Sequence, residues 1–377
     1  MSRTTTIDAT TTNTNTTASP AATVPDRGRG RPLNSVTITA LRKSFDDVEV
    51  LHGLDLGVEP GTIVGLIGPS GCGKTTTVRL MTGLLAPTSG EASIGGTPSI
   101  DLTSAQRARI GYLPQTPALF PDLSLMENLS FHASMYGLPL RRKHRLRSVL
   151  DWVELTDDAG KRVADASGGM QRRLALAAAF VHDPDIVFLD EPTAGIDPIL
   201  RDKIWRQFRE VAATGKTLVV TTQYVGEAGM CDQVGLLSDG ELLLVDTPVN
   251  LRRAAFDGEV LDVVTSRPLS AAELAGLNEQ PFVVGEVERT DVSTVRIVVD
   301  DADHAADAVN RVFAEIGVEM FEVNEHEVDY DEAFVRVVQR HRSTSDGEPD
   351  DGADADRATE AEHDAADTAN EQAEAGA

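Results

Sequence analysis

The chain has 377 residues and a formal net charge of −26, with 60 acidic residues against 34 lysines and arginines. It can hold one large domain and a smaller one, and no run approaches the ~18 apolar residues of a membrane-spanning helix. The N-terminus lacks the apolar core of a secretory signal. The two cysteines, Cys72 and Cys231, argue against a disulfide framework and suit a reducing cytosol. If this protein serves a membrane channel, that channel is expected to be another polypeptide.

The acidic charge is not confined to the end of the chain. Residues 343–377 hold twelve acidic residues and one base, Arg357, which leaves a formal charge of −15 on the rest. Lysine is scarce, whereas arginine is abundant. This balance is typical of salt-loving cytoplasms, where a Debye length of ~3 Å at 1 M salt quenches self-repulsion. The alternative is an ordinary protein with an acidic tail, which leaves the remaining charge unexplained.

The first strand and helix with a strong signal flank a glycine-rich loop. Residues 1–34 are rich in Thr, Asn and Ala without apolar periodicity, and we expect them to be disordered. The apolar run at residues 63–67 indicates a buried strand, and residues 76–81 open a helix. Between them, residues 68–75 read Gly-Pro-Ser-Gly-Cys-Gly-Lys-Thr and fit the phosphate-binding pattern G-x-x-x-x-G-K-[ST].

The chemistry of this loop is that of a phosphate site. Its glycines let the backbone wrap around phosphate and point N–H groups inward at a helix N-terminus. Lys74 offers a point charge to the outer phosphates, and Thr75 offers a hydroxyl to Mg²⁺. Cys72 is either an oxidation-sensitive position or, as we favour, a small residue tolerated because the loop binds through its backbone. The predicted phosphate-binding residues are Gly68, Pro69, Ser70, Gly71, Cys72, Gly73, Lys74, Thr75 and Thr76.

Residues 116–166 are predicted to be helical. An apolar helix face is formed by residues that recur at three- and four-residue spacing, namely Leu146, Val149, Leu150 and Val153. The basic cluster at residues 141–147 could meet anionic lipid or nucleic acid. We favour a solvated helix start there, because no aromatic residues interleave to stack bases.

Residues 185–192 form an apolar strand that ends in two acids, Asp190 and Glu191. Open α/β sheets bind ligands at the carboxyl ends of their strands. Asp190 can therefore hold Mg²⁺, and Glu191 can accept a proton from the attacking water. Alone, this pair would more readily indicate an acidic turn, but the phosphate loop favours the catalytic interpretation.

Between the loop and this strand, residues 166–173 read Ala-Ser-Gly-Gly-Met-Gln-Arg-Arg. Here the chain resembles the ABC transporter ATPase family, whose signature loop is similar to Ser167–Gln171, although Ala166 stands where Leu is usual. Ser167 is expected to cap a helix whose free N–H groups bind a γ-phosphate. The resemblance implies an α/β fold, the P-loop NTPase ABC cassette with a mixed sheet core and a helical subdomain. It also implies that two chains sandwich two MgATP.

The resemblance assigns further site residues. Gln115 matches the glutamine loop that contacts Mg²⁺ and senses the membrane partner, and Asp197 matches the D-loop that faces the dimer partner. Phe45 stands where an aromatic ring stacks on adenine, although a core aromatic at a strand end is an equally good interpretation. The signature residues that would serve the ATP of the partner subunit are Ser167, Gly168, Gly169 and Gln171.

The main departure from the family pattern is Gln223, which follows a Thr pair where most members carry His. Gln keeps a hydrogen-bond donor for the γ-phosphate but cannot be protonated. Some drug-export ATPases of the family also carry Gln there. We interpret it as a mark of subtype with a catalytic role, and an impaired switch with slow hydrolysis is the alternative.

The resemblance, together with composition and periodicity, predicts a domain organisation. The ABC nucleotide-binding domain would span residues 35–250, with its helical subdomain at about 116–166. A small α/β accessory domain would span residues 255–342, and residues 343–377 would form a disordered acidic tail. Within the accessory domain we predict strands at 260–264, 294–299 and 320–323 and an amphipathic helix at 302–316.

The predicted function is that of an ATP-binding and ATP-hydrolysing subunit that powers an ABC exporter for a drug-like or lipophilic cargo. Residues 117–129 and 135–138 resemble daunorubicin-type exporters. The implied partners are a second copy or a related cassette and an integral membrane permease, with no nucleic acid, at the inner face of the cell membrane. The alternatives are a soluble ABC ATPase of translation or DNA repair, which usually has two cassettes or a long coiled coil, and an importer ATPase, which residues 170–173 disfavour.

Overall fold

The structure, a computed structural model, describes residues 33–285, 287–326 and 328–345. The segments predicted to be disordered are 1–34 and 343–377, and they lie outside the described residues except for 33–34 and 343–345. These five residues differ from the prediction. Leu33 is buried and its N–H donates to the Asp185 carboxylate at 3.3 Å. Asn34 donates to the Gly215 carbonyl at 3.1 Å. Residues 343–345 belong to the last helix.

Fourteen strands and ten α-helices occur in the described residues. The strands are β1 (Val36–Phe45), β2 (Val48–Val58), β3 (Ile63–Ile67), β4 (Ser89–Ile94), β5 (Thr97–Pro98), β6 (Ile110–Leu113), β7 (Ile186–Asp190), β8 (Thr217–Thr222), β9 (Gln233–Ser238), β10 (Glu241–Asp246), β11 (Glu259–Thr265), β12 (Glu288–Arg289), β13 (Thr294–Val299) and β14 (Met320–Glu325). The helices are α1 (Lys74–Met81), α2 (Ser104–Arg107), α3 (Leu125–Met135), α4 (Lys143–Trp152), α5 (Gly168–Phe180), α6 (Pro198–Ala213), α7 (Pro248–Phe256), α8 (Ala271–Asn278), α9 (Ala302–Glu315) and α10 (Tyr330–Ser345).

A six-stranded sheet in the order β10-β9-β3-β8-β7-β6 forms the centre of the fold. Strands β9, β3, β8, β7 and β6 are parallel, and β10 is an antiparallel edge strand. Every residue of β3, β7 and β8 is buried, as expected for parallel strands covered on both faces. Because these strands run the same way, their carboxyl ends bring the phosphate loop, Asp190 and Thr222 to one edge.

Two smaller sheets accompany the central one. An antiparallel sheet in the order β2-β1-β4-β5 encloses one apolar core with the central strands. The second, β12-β13-β11-β14, is antiparallel and has its own core with α9, which contains Val263, Ile297 and Phe313. The predicted strands at 260–264, 294–299 and 320–323 and the helix at 302–316 are confirmed as β11, β13, β14 and α9. Helix α8 had not been predicted.

The region predicted to be helical, 116–166, contains α3 and α4 joined by turns. A capping box of Ser124 and Glu127 starts α3. The predicted apolar face is confirmed, because Leu146, Val149, Leu150 and Val153 are all buried. In the part of the chain described, no helix has the length and apolarity needed to cross a membrane.

The basic cluster at 141–147 is not uniformly solvated, so the favoured interpretation was wrong for two of its members. Arg142 is buried and donates to the carbonyls of Leu138 and Ser130 at 2.8 and 2.7 Å. Arg145 is buried and donates to the Phe180 carbonyl at 2.8 Å. Guanidinium groups have five donors in a fixed fork, which lets them satisfy carbonyls at helix ends inside a core.

Helix α10 attaches the C-terminal region to the central core. Phe334 and Val337 pack against that core together with Tyr330. The guanidinium carbon of Arg252 lies 4.1 Å from the Tyr330 ring centroid, and that of Arg336 lies 4.0 Å from the Phe256 ring centroid. Both distances are within the range of cation–π contacts.

Candidate functional site

The predicted phosphate loop lies between β3 and α1, and its glycines are required by close contacts. Gly73 has φ +106°, a backbone conformation that side chains disfavour, and a Cβ there would lie 2.5 Å from Leu51 Cδ2. A Cβ on Gly68 would lie 2.0 Å from the Leu237 carbonyl oxygen. The loop is therefore held between two strands by positions that only glycine can occupy.

Lys74 begins α1 and lies against the inside of the loop. It is 5% exposed, and its ammonium group donates to the carbonyls of Gly68 and Pro69 at 2.7 Å each. These bonds fix the positive charge where the loop amides and the helix N-terminus also favour an anion. The next residues, Thr75 and Thr76, are half-buried.

Asp190 ends β7 and is completely buried. Its Oδ1 accepts a hydrogen bond from Thr221 Oγ1 at 2.5 Å, while Oδ2 is buried and has no hydrogen-bond partner among the described residues. A buried carboxylate oxygen without a donor is costly unless a cation binds it. The residues therefore fit a magnesium ion, which Asp190, Thr75 and Gln115 would hold.

Glu191 is positioned by an unusual backbone. It has φ +50°, a left-handed conformation that costs ~1–3 kcal/mol in a residue with a side chain. Its N–H donates to the Thr221 carbonyl at 3.0 Å and to Thr221 Oγ1 at 3.1 Å, which holds the conformation. Gln115 Nε2 lies 3.5 Å from Glu191 Oε2. The structure thus brings Gln115, Asp190 and Glu191 together as predicted.

Arg172 is a site residue that the sequence analysis missed. Its guanidinium donates to the carbonyls of Pro114 and Gln115 at 2.9 and 2.8 Å and also to those of Asp190 and Glu191. Burial lowers the pKa of Arg172, and the negative charges of Asp190 and Glu191 offset part of this effect. The sequence does contain a signal for this role, because Arg172 lies in a helix that is otherwise rich in Ala and Leu. An arginine buried in such a helix is expected to have hydrogen-bond partners.

The signature residues surround the start of α5. Ser167 caps the helix and accepts a hydrogen bond from the Met170 N–H at 3.3 Å. Gly168 is exposed and Gly169 is half-buried, so the start of the helix lies at the surface. Gln171 differs in its surroundings, because its amide nitrogen donates to the carbonyls of Val163 and Ala166 at 3.0 and 3.1 Å. Gln171 therefore holds the loop before the helix.

The remaining predicted residues lie on separate elements. Asp197 is exposed and caps α6, accepting from the Leu200 N–H at 3.0 Å. Phe45 is 43% exposed at the end of β1, with Lys43 Nζ 5.0 Å from its ring centroid. Gln223 is exposed directly after β8 and lines a cleft of about 360 Å³ with Tyr224 and other residues. An exposed Phe45 is compatible with stacking on a base and disfavours the core-aromatic alternative.

Comparisons with known proteins agree with this geometry. The sequence profile of the ABC transporter family matches residues 51–194. The daunorubicin resistance ATP-binding protein DrrA3 of Streptomyces coeruleorubidus is 34% identical over 305 residues, which are 80% of this chain and 95% of that protein. The Nod factor export ATP-binding protein I of Paraburkholderia xenovorans is 35% identical over 258 residues, 68% of this chain and 85% of that protein.

Solved structures give the same result. An ATP-binding subunit of an ABC transporter is 29% identical with a TM-score of 0.54, over 58% of this chain and 92% of its own. A dimeric post-hydrolysis state of the ATP-binding cassette MJ0796, bound to ADP and Pi, is 28% identical with a TM-score of 0.53, over 56% of this chain and 98% of its own.

Proposed function

This chain belongs to the ABC transporter ATP-binding proteins as an exporter-type ATPase subunit, and we propose that it powers the export of a drug-like or lipophilic cargo through a separate membrane permease. The relatives named for daunorubicin resistance and Nod factor export support an amphiphilic cargo. The cargo path would belong to the permease.

The observation that carries the catalytic proposal is the arrangement of two neighbouring acids, Asp190 and Glu191, beside Gln115. Glu191 accepts the proton of the attacking water, and Gln115 orients the Glu191 carboxylate. Lys74 and the loop amides stabilise charge on the transferred phosphoryl group. Magnesium, when bound, neutralises charge on the phosphate oxygens.

We further propose that two cassettes close around two MgATP. Ser167 and Gly168 are exposed and Gly169 is half-buried where α5 begins. The N–H groups at a helix start suit the γ-phosphate of a nucleotide held by another copy. Asp197 starts α6 on an exposed surface and would face that copy. The solved cassette MJ0796 forms a dimer, which supports a homodimer or a heterodimer with a related cassette.

A groove beside the glutamine loop is our candidate for the permease contact at the inner face of the membrane. It has a volume of about 590 Å³ and is lined by Pro114, which precedes Gln115. Phe120 and Phe131 also line it, are 43% and 40% exposed, and have ring centroids 4.6 Å apart. Exposed aromatic pairs beside a catalytic loop suit an apolar helix of the partner. A permease helix bound in this groove would contact the loop that carries Gln115.

We also propose that residues 35–250 act as the nucleotide-binding domain and that residues 255–342 form an accessory domain attached through α10. The packing of Tyr330 and Phe334 on the central core supports a fixed attachment. It does not assign the accessory region a chemistry of its own.

The experiment that tests the catalytic proposal is Glu191→Gln. This variant keeps the shape of the side chain but cannot accept a proton, so turnover should fall at least a hundred-fold, the ~10²–10⁴-fold range for loss of a general base. ATP binding should persist and trap a closed dimer, visible by gel filtration with MgATP. Glu210→Gln, an exposed change on α6, is the matched control. Near-normal hydrolysis by Glu191→Gln would refute the assignment of the base.

A further inference from the structure

A second cleft lies on the other side of α3 from the proposed permease groove. The groove is lined by Phe131 and Met135 of α3, whereas this cleft is lined by Met126 and Ser130. We name it the α3–α4 cleft; its volume of about 760 Å³ is within the ~300–1,000 Å³ of sites that hold small molecules. Apolar side chains that line it include Met126, Leu146 and Leu150.

One side of the cleft presents a row of residues with an unusual combination of charge and apolarity. Leu140, Lys143 and Arg147 all line the cleft and recur at three- and four-residue spacing, which places them on one side of α4 and the turn before it. Leu140 is 90% exposed. An exposed large apolar side chain beside two cations is typical of protein surfaces that bind at the membrane interface.

The cations of this row lack counter-charges. The side chains of Lys143 and Arg147, and those of the neighbouring Arg141 and His144, are exposed and make no hydrogen bond or ion pair within the described part of the chain. The lining acid Glu127 is already engaged, because its carboxylate accepts from the Ser124 N–H and Oγ at 2.8 and 2.7 Å. Both cations can therefore pair with an anion that enters the cleft.

The electrostatics of α4 point the same way. The helix has no acid in its first turn, and its N-cap residue, Arg142, makes no side-chain capping bond. Cations at a helix N-terminus oppose the helix dipole. An anion in the cleft would relieve this repulsion and would pair with Lys143 and Arg147 at once.

We propose that the α3–α4 cleft binds an anionic phospholipid of the membrane. Lys143 and Arg147 hold its phosphate, the apolar lining takes the glycerol and upper acyl region, and Leu140 enters the bilayer interface. This inference rests on the proposed permease contact, because a permease in the adjacent groove would bring α3 to the membrane. The lipid contact would then orient the ATPase beneath its permease without adding to the nucleotide site.

Vesicle flotation of the full chain tests the proposal, in the absence of permease and nucleotide. The vesicles contain either phosphatidylcholine alone or phosphatidylcholine with phosphatidylglycerol. The buffer contains the lowest KCl concentration at which the protein still shows a cooperative thermal unfolding transition. Because the net charge of the chain is −26, general electrostatics would repel it from anionic vesicles. Stronger binding to the phosphatidylglycerol vesicles is the expected result and requires a local cationic site.

The variant Lys143→Ala/Arg147→Ala should lower the partition coefficient on anionic vesicles by about 30-fold, at roughly 1 kcal/mol per cation near an anionic surface. Leu140→Ser should lower it by about ten-fold without a change in charge. The matched control is Arg206→Ala/Arg311→Ala, which removes two exposed cations from α6 and α9 and should leave binding within two-fold of the parent.

Three results would overturn the proposal. These are equal binding to neutral and anionic vesicles, an equal loss in the control pair, and a Lys143→Ala/Arg147→Ala variant that keeps vesicle binding but no longer co-purifies with the permease. The last result would assign this face to a protein helix. ATPase turnover of the chain without vesicles should be unchanged in every variant, so a failure of this proposal is distinguishable from a failure of the proposed function.

Discussion

Asp190 and Glu191 are adjacent in the chain, yet the structure gives them different environments. Asp190 is fully buried at the end of β7, where it can only accept from Thr221 or contact a cation. Glu191 turns into a left-handed conformation and becomes half-buried beside Gln115. The Asp190 carboxylate is therefore suited to bind a metal ion, and the Glu191 carboxylate is suited to accept a proton from water.

Gln223 offers a test of the position where the chain departs from its family. Gln223→Ala should slow hydrolysis ten-fold or more, because a hydrogen bond to a charged group contributes roughly 1.5–3 kcal/mol. Gln223→His should retain activity and add a pH-dependent limb between about pH 5 and 8, where imidazole changes charge. The measurement is kcat against pH for the three proteins, with melting temperatures as the control for folding. An alanine variant as active as the parent would make residue 223 a bystander.

Arg172 allows structural and catalytic effects to be separated. Arg172→Met removes the bonds that tie the glutamine loop to the carbonyls of Asp190 and Glu191, so we expect kcat to fall ten-fold or more. Arg173→Met is the matched control, since Arg173 donates to the carbonyls of Val153 and Glu154 at 3.0 and 3.1 Å, away from these residues. Both variants should melt at lower temperature, but only Arg172→Met should lose turnover. If Arg172→Met and Arg173→Met lost kcat equally, the role of Arg172 would be structural only.

At the scale of elements, the sequence predicted best the strands that are marked by a continuous apolar run. Strands β3 and β7 are continuous apolar runs because both faces are covered. The phosphate loop follows β3, and Asp190 and Glu191 lie at the end of β7. Helix α8 was missed although Ser270 and Glu273 form a capping box that the sequence displays. The burial of Arg142 and Arg145 was not predictable in the same way, because a basic run looks solvated until distant carbonyls are placed beside it.

The C-terminal sheet contains a charge cluster with a defined response to acid. Asp262 on β11 pairs with Arg296 on β13 at 2.9 Å and with His326 at 2.8 Å. Desolvation alone would raise the pKa of Asp262, but the hydrogen bonds and charges of Arg296 and His326 outweigh it and lower the pKa. The stabilisation is therefore complete above the unfolded pKa of about 3.9 and is lost as the pH falls through the lower folded value.

Asp262→Asn should destabilise the C-terminal sheet by about 1–2 kcal/mol near neutrality, since the pair is partly screened by solvent. The difference from the parent should shrink as the pH falls below 4. Thermal or urea unfolding followed from pH 7 to pH 3 measures this, with the exposed Asp307→Asn on α9 as the control. A constant difference over that range would show that the ionised carboxylate is not the source of the stability.

At the scale of the whole molecule, the acidic surplus predicts a requirement for salt. The charge outside residues 346–377 is still −15, so self-repulsion should loosen the fold at low ionic strength and fade as the Debye length falls to ~3 Å near 1 M. The melting temperature should rise between about 0.1 and 2 M KCl. A chain truncated after Ser345 should show the same rise, because most of the charge remains. A melting temperature insensitive to KCl in both proteins would refute the salt-loving interpretation.

The burial of both cysteines has a practical consequence for following the motions of this ATPase. Cys72 and Cys231 are buried, and desolvation raises the pKa of each thiol, more strongly for Cys231. Only the thiolate reacts with maleimides and methanethiosulfonates, so both native positions should resist labelling under native conditions. A single cysteine introduced at an exposed site such as Val249 would thus accept a spin label or a fluorophore selectively, and opening and closing could be recorded by distance spectroscopy on an otherwise natural sequence.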